Sequence, residues 1–568
     1  MRGRLAIFSA LVLAVVLYGT APLLHGAEAG RATSGSGTLN SKMDLETIGR
    51  RMYREGILPS GDPLTAVVKG DIRVDSTVFT CVSCHLRSGI GSFEGGVLTP
   101  PTTGKYLYNP VKAPLASKFS TVPPRRPAYT DESLASVLRG GVDPAGRILD
   151  YVMPRYHLHD EEMSILVAYL KSLSGDYSPG VTSNTLTFAT VITDDVPAGQ
   201  AELMYSSLEK LIRQKNNMAT TLAKDPRKAR MAEAMLVSGE VAYKRIKLLS
   251  WRLKGSPESW QAQLQEYYDK EPVFALLGGI SSGPWQPVHD FCESRGLPSL
   301  LPITDLPVVS DKDWYTLYFS KGAFQEGEAA ARYLNRTLSN AGGGILQITG
   351  SSNRSKALAK GFRQTWLELR GDMPKELNPD KGESMQKLAD KSFMSGVAAV
   401  LIWLEPEKAK LELKFLEAFP GPLFLPGGEV DFSRLELSDA LRGRIFFTYP
   451  FRLPEDEKKY DAYTDPIFID SPKDLQSKKI IKQVYSIYQV LNQALVELKG
   501  GYYRDSLLDV LGMGMGGGMG SSADTGFPLY ERFSFGPGQR YASKGCYVVQ
   551  LPKGPSLNPV RLSEWVIH

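Results

Sequence analysis

The sequence lacks the patterns of several functional classes. Its 568 residues carry a formal net charge of only +5, and no basic stripe with interleaved aromatic residues is present. A nucleic-acid partner is therefore not expected. The chain also has no phosphate-binding glycine loop, no paired nucleophile and base, and no cluster of metal ligands apart from one short motif. We therefore predict that the protein is not an enzyme, and that any catalysis resides on a partner chain.

The longest apolar run lies at the N-terminus. Arg2 and Arg4 precede an almost wholly apolar stretch over 5–18, and Pro22 and Ala27-Glu28-Ala29 follow it. This order predicts a signal peptide over residues 1–29 and an exported, periplasmic or cell-envelope protein. The alternative is an uncleaved segment, which would place the protein at a membrane. The absence of cysteine here argues against a lipid anchor.

Cysteine is also scarce, with four in the chain. Cys292 and Cys546 either form a disulfide, as an oxidising compartment permits, or remain two buried thiols. The other two belong to Cys81-Val-Ser-Cys84-His85, the attachment sequence of c-type haem. Both thiols can add to the haem vinyl groups, which would hold His85 against one face of the iron. Neither a thioredoxin-like βαβ context nor the additional ligands of a zinc site accompany this motif.

A low-spin haem iron needs a sixth ligand opposite the histidine. Met153 is followed by Pro154 and offers a thioether, which raises the reduction potential by favouring Fe(II). His157, His159 and Met163 are alternatives. The two histidines lie among polar residues, whereas Met163 lies on the apolar face of a predicted helix.

The composition divides the chain into segments. Residues 30–43 are rich in glycine and serine and predict a flexible linker, residues 44–174 form a first domain, and residues 175–184 form a second linker. From residue 185 to residue 568, short apolar runs alternate with amphipathic stretches, which predicts parallel α/β layers in two lobes. The glycine-rich segment 512–522 carries methionines that either bind a soft metal such as Cu(I) or lie in a flexible loop: Met513, Met515 and Met519.

Residues 44–174 resemble a class I c-type cytochrome. The resemblance rests on Gly49 and Tyr53 in an N-terminal helix, the haem motif, residues 129–149, the Met153-Pro154 pair and a helix containing residues 168–170. It implies an all-α fold and one covalent haem c.

The same resemblance implies the site residues of this domain. Thioether bonds form at Cys81 and Cys84, and His85 and Met153 are the axial ligands. The carbonyl of Pro100 or Pro101 accepts a hydrogen bond from the ligating imidazole. The following residues are expected to support the cofactor: Pro100, Pro101, Arg155 and Tyr156. Residues 54–80 exceed what a compact family member needs, which predicts an additional loop near the haem edge.

Residues 185–568 resemble type I periplasmic binding proteins of the branched-chain amino-acid group, through residues 276–282, 297–304, 318–334 and 484–500. The resemblance implies two α/β lobes that close over a ligand. Ser281, Ser282 and Thr304 match positions that bind the ligand carboxylate. The second lobe departs from the family, since residues 351–355 replace its usual Tyr-Gly, and Glu429 is the acidic candidate there.

Three functions are consistent with these patterns. The first is an exported monohaem electron-transfer protein with a redox partner protein, because an iron with two protein ligands has no open coordination site. Its C-terminal domain would bind a ligand or dock a partner. The second is a solute receptor for a transporter or sensor, binding an amino acid or small organic anion, with an accessory haem domain. The third is a haem-bearing subunit of a periplasmic dehydrogenase.

Overall fold

The computed structural model describes residues 42–567 except 70, 95–96, 112–124, 225–243, 339–342, 384, 499, 514–525, 537 and 555. The predicted signal peptide, residues 30–41 of the first linker, Met515 and Met519 lie outside the described residues. Within the described part of the chain, no helix is both long and apolar enough to cross a membrane.

The N-terminal unit is built on helices that frame one hydrophobic core. Its helices are α1 (Lys42–Glu55), α2 (Val82–His85), α3 (Gly104–Leu107), α4 (Asp131–Gly140) and α5 (Asp160–Ser172). Helices α1 and α5 approach closely because Gly49 has no side chain, and a Cβ added there would lie 2.5 Å from Tyr169 Cβ. Tyr53 packs beside Tyr169 with ring centroids 5.6 Å apart.

The expectation of an all-α domain needs correction, because the N-terminal unit also contains short strands. They are β1 (Thr65–Val68), β2 (Ile72–Asp75), β3 (Ser92–Glu94), β4 (Val97–Thr99) and β5 (Arg155–Tyr156). The additional residues between Tyr53 and Cys81 contain the β1–β2 hairpin, and β1 also pairs antiparallel with β5. The insertion therefore contacts the segment directly after Met153.

The C-terminal part alternates strands and helices, as predicted. Its strands are β6 (Thr185–Thr193), β7 (Arg245–Leu253), β8 (Ala275–Leu277), β9 (Ser299–Leu300), β10 (Thr316–Leu317), β11 (Gly344–Thr349), β12 (Lys375–Leu377), β13 (Val397–Trp403), β14 (Leu423–Pro426), β15 (Ile445–Tyr449), β16 (Gly545–Gln550), β17 (Val560–Arg561) and β18 (Val566–Ile567). Its helices are α6 (Ala198–Lys224), α7 (Trp260–Lys270), α8 (Gln286–Arg295), α9 (Ala323–Thr337), α10 (Asn353–Arg370), α11 (Pro406–Leu413), α12 (Asp439–Arg442), α13 (Pro454–Thr464), α14 (Leu475–Glu497) and α15 (Arg504–Gly512).

These strands form two separate sheets. The first α/β unit has a parallel sheet in the order β10-β9-β8-β6-β7, and α14 packs its apolar residues into the core of that unit. The second α/β unit has the order β12-β11-β13-β14-β15-β16-β17, in which β16 and β17 are antiparallel additions and β18 pairs with β16. Cys292 and Cys546 are fully buried thiols in different hydrophobic clusters, so they do not form a disulfide.

The N-terminal unit contacts the first α/β unit through a polar and aromatic interface. Arg54 forms an ion pair with Asp505 of α15, and the backbone N–H of Ser88 donates to Asp509 Oδ2 at 2.7 Å. The guanidinium of Arg87 lies 4.0 Å from the centre of the Trp314 ring. Within the predicted second linker, Ser178 accepts a hydrogen bond from the backbone of α15, so this segment is packed against the fold.

Candidate functional site

A cavity of about 250 Å³ lies in the N-terminal unit beside the Cys81–His85 motif. Helices α4 and α5, strand β4 and the loop before β5 supply its walls. Most of the lining is apolar, including Val97, Leu98, Leu107, Leu134, Val137, Leu138, Leu149 and Leu170. A water-excluding wall of this kind suits a large planar macrocycle.

The motif forms one helical turn at the edge of this cavity. The backbone N–H of His85 donates to Cys81 O at 2.8 Å, so Cys81, Cys84 and His85 all line the cavity from α2 and the residue before it. The Tyr53 hydroxyl donates to Leu86 O at 2.8 Å, and Leu86 has a positive φ of 64°. This turn therefore ends abruptly after the histidine and is anchored to α1.

His85 is buried and oriented by a backbone acceptor. Its Nδ1 lies 2.9 Å from the carbonyl oxygen of Pro100, and Pro101 lines the cavity next to it. An Nδ1–H that donates to this carbonyl leaves Nε2 as the metal-binding nitrogen. Burial lowers the pKa of His85, which favours the neutral imidazole that ligates metals.

Met153 is half-buried and lines the same cavity as His85. Arg155 fixes its loop, since the guanidinium donates to Met153 O and to Leu149 O. Of the alternative ligands, His157 and His159 are exposed, and Met163 is buried in the hydrophobic core. Met153 is therefore the candidate that lines the cavity together with His85.

Tyr156 and several polar residues complete the cavity wall. The Tyr156 hydroxyl lies 3.7 Å from Cys81 Sγ. Arg126 donates to the carbonyls of Tyr106 and Leu107, and Arg147 forms an ion pair with buried Asp143. Sequence reasoning did not identify Arg126, Asp143 or Arg147 as cavity residues. The turn-forming residues between Asp143 and Arg147 are the one sequence signal that could have indicated the ion pair.

The donor set of this cavity fits haem c. Two thiols, one oriented imidazole and one thioether surround an apolar space, and these are the groups that attach and ligate this cofactor. Among the described residues, no group of three or more histidine, cysteine, aspartate or glutamate side chains is arranged to hold a metal ion by itself.

The predicted ligand residues of the first α/β unit lie together at the carboxyl ends of its strands. Ser281 Oγ donates to Gly283 O at 3.2 Å, and Thr304 Oγ1 donates to the same carbonyl at 3.4 Å. The backbone N–H of Ser282 donates to Asp195 Oδ1 at 3.3 Å. Partners within the chain therefore satisfy these groups.

Glu429 lies at the carboxyl end of β14, facing a charged cluster. Its carboxylate is 3.5 Å from Arg354 Nε, and Asp305 Oδ2 lies at the same distance from this nitrogen. The Glu429 side chain is 38% exposed, and its partial burial raises its pKa to about 7, a shift that Arg354 opposes and Asp305 assists. Sequence reasoning identified Glu429 but missed Arg354, the second residue of α10.

The cavity beside the Cys81–His85 motif lies within the part of the chain that matches a known family. Residues 76–174 match the profile of the cytochrome c family. No curated protein matches the chain.

The C-terminal part is similar to solved substrate-binding proteins. A fatty acid ABC transporter substrate-binding protein from Thermomonospora curvata is 16% identical, with a TM-score of 0.43 over 69% of this chain and 95% of its own. A branched chain amino acid ABC transporter from Thermus thermophilus with bound valine is 9% identical, with a TM-score of 0.45 over 68% of this chain and 97% of its own. A solute binding protein from R. palustris in complex with benzoate is 13% identical, with a TM-score of 0.44 over 68% of this chain and 98% of its own.

Proposed function

We propose that the protein is an exported monohaem c-type cytochrome that transfers electrons to or from a partner protein. The observation that carries this proposal is the presence of His85 and Met153 on the wall of one apolar cavity beside two attachment cysteines. An iron held by both residues changes its oxidation state without binding substrate. The C-terminal part, with its two α/β units acting as lobes, is a ligand-binding or docking module, and catalysis belongs to a partner chain.

The surface around the cavity supports an electron-transfer role. Phe79, Val97 and Val152 line the cavity and are also exposed, and Ile148 and Tyr151 lie exposed in the loop before Met153. Contiguous exposed apolar side chains are typical of protein–protein contact surfaces. A redox partner that docks here would come close to the cavity whose residues would hold the haem, and a short distance favours electron transfer.

Redox titration of the purified full-length holoprotein tests the proposal. We expect one reversible one-electron transition in the haem absorbance, and no spectral change when carbon monoxide is added to the reduced protein. Carbon monoxide binding to the native ferrous haem would contradict it, because it would reveal an open or readily vacated coordination site.

A further inference from the structure

A cluster of charged side chains lies between the two α/β units, at the carboxyl ends of their strands. In open α/β sheets this edge is where ligands bind. Asp305 follows the end of the first unit's sheet, and Glu326, Arg354 and Glu429 belong to the second unit. Lys479 comes from α14 of the first unit.

Arg354 is the centre of this cluster. Its side chain is 12% exposed, and one terminal nitrogen donates to Glu326 Oε1 at 3.1 Å. Its Nε lies 3.5 Å from both Asp305 Oδ2 and Glu429 Oε2. A guanidinium from one unit is thus surrounded by three carboxylates, one of which belongs to the other unit.

A side chain of the first unit also bonds to the second unit. Lys479, which is buried, donates from the first unit to Gly428 O of the second. The carboxylate of Glu326 accepts the backbone N–H groups of Gly427 at 3.0 Å and Gly428 at 3.1 Å, and the hydroxyl of Thr448 at 3.1 Å. Glu326 is therefore held in place for its ion pair with Arg354, and the loop after β14 is tied to both units.

We propose that Arg354 is a built-in occupant of a cation site formed by Asp305, Glu326 and Glu429, which keeps the two α/β units closed without an external ligand. The class of ligand that these carboxylates recognise is a guanidinium, because a planar cation with several donors matches three surrounding carboxylates.

The groups of the first unit that were predicted to bind a carboxylate are also hydrogen-bonded within the chain. Asp195 Oδ1 accepts the Ser282 N–H, and the hydroxyls of Ser281 and Thr304 both donate to Gly283 O. A free amino acid entering here would have to displace a carboxylate on one side and a guanidinium on the other. We therefore expect the wild-type cleft not to bind amino acids.

This inference deepens the proposed function by making the C-terminal part a closed docking module rather than a solute sensor. Its role in the protein rests on the proposed function, whereas the ion pairs around Arg354 do not. The haem residues take no part in the cluster, so failure of either proposal is measured independently of the other.

Chemical rescue of Arg354→Ala in the full-length holoprotein tests the inference. We expect its C-terminal thermal transition, followed by tryptophan fluorescence, to fall by several degrees, and millimolar methylguanidinium to restore a large part of the loss. Arg363→Ala is the matched control, since Arg363 pairs with Glu376 on the surface, and we expect neither the loss nor the rescue there. Leucine and glycine should leave the wild-type transition unchanged.

Asp305→Asn provides a second variant if Arg354→Ala does not fold. It weakens the contact between the units while leaving the Arg354–Glu326 pair, so we expect a larger radius of gyration by small-angle X-ray scattering with a folded haem domain. An unchanged radius in Asp305→Asn, an absence of selective rescue in Arg354→Ala, or a wild-type transition raised by leucine would each overturn the inference.

Discussion

At the scale of single residues, the surroundings of His85 suit the axial ligand that we propose it to be. Its Nδ1 is engaged by Pro100 O, and burial keeps the imidazole neutral. The backbone acceptor fixes both the tautomer and the ring orientation, which is how metal-ligating histidines are commonly held. The hydrogen bond also shows which of the two candidate prolines supplies the carbonyl, a choice that the sequence left open.

At position 49, the close packing of α1 against α5 requires a residue without a side chain. A side chain at this position would meet Tyr169 Cβ at 2.5 Å, so Gly49→Ala should force α1 away from α5 and lower the free energy of unfolding by about 1–3 kcal/mol. Denaturant unfolding followed by haem absorbance measures the change. Gly140→Ala is the control, because a Cβ at this helical position has no neighbour within 4 Å and should be neutral or stabilising by up to about 1 kcal/mol. Equal effects of the two substitutions would contradict this account.

At the scale of elements, the loop that carries Met153 is held from two sides. Strand β5 pairs with β1 of the inserted hairpin, and Arg155 donates to carbonyls within the loop. The insertion was visible in the sequence as a length difference. Its pairing with β5 was not, because short strands of four and two residues leave almost no periodic pattern.

Arg155 should therefore position Met153 without touching the iron. We expect Arg155→Ala to make added imidazole displace Met153 at concentrations several-fold lower than in the wild type, because the loop loses two anchoring hydrogen bonds. Loss of the Met–Fe charge-transfer band during an imidazole titration measures this. Arg139→Ala removes a comparable arginine, one that bonds to Leu158 O and Asp160, and should leave the titration unchanged. An Arg155→Ala midpoint equal to that of the wild type would refute the positioning role.

The strands of the C-terminal part were the most predictable elements. Buried runs such as 186–192, 397–404 and 445–449 correspond closely to β6, β13 and β15. The antiparallel β16 was missed, since it pairs with β15, for example Tyr449 with Tyr547, far away along the chain. Strands β17 and β18, which pair with β16, have only 2 residues each. The charged cluster around Arg354 was invisible for the same reason.

At the scale of the whole molecule, the haem loop and the C-terminal part are linked through Asp509. Its carboxylate accepts the N–H of Ser88, three residues after His85. Burial raises the pKa of Asp509 to about 6. A specific hydrogen bond between Ser88 and Asp509 thus joins the N-terminal unit to the C-terminal part, and neither composition nor motif spacing indicated it.

The raised pKa predicts a pH dependence of stability. The folded state binds the Asp509 proton more tightly than the unfolded chain, whose pKa is about 3.9, so this contribution to stability is present at low pH and declines as pH rises to about 6. Asp509→Asn keeps an acceptor for Ser88 and removes the charge. Relative to the wild type it should gain up to about 3 kcal/mol in the free energy of unfolding at pH 7 and little at pH 4.

Denaturant unfolding across this pH range measures the difference. Asp505→Asn is the control on the same helix, and it should destabilise the protein because it leaves Arg54 without its ion-pair partner. Parallel pH profiles for Asp509→Asn and the wild type would contradict the assignment.

The central claim is that His85 and Met153 ligate one haem in an electron-transfer protein. The most direct measurement is the absorption spectrum and reduction potential of the Met153→Ala holoprotein, with Met163→Leu as the control from the hydrophobic core. We predict that Met153→Ala loses the Met–Fe charge-transfer band and shifts to a lower potential, whereas Met163→Leu retains both. A Met153→Ala protein with an unchanged spectrum and potential would contradict the claim.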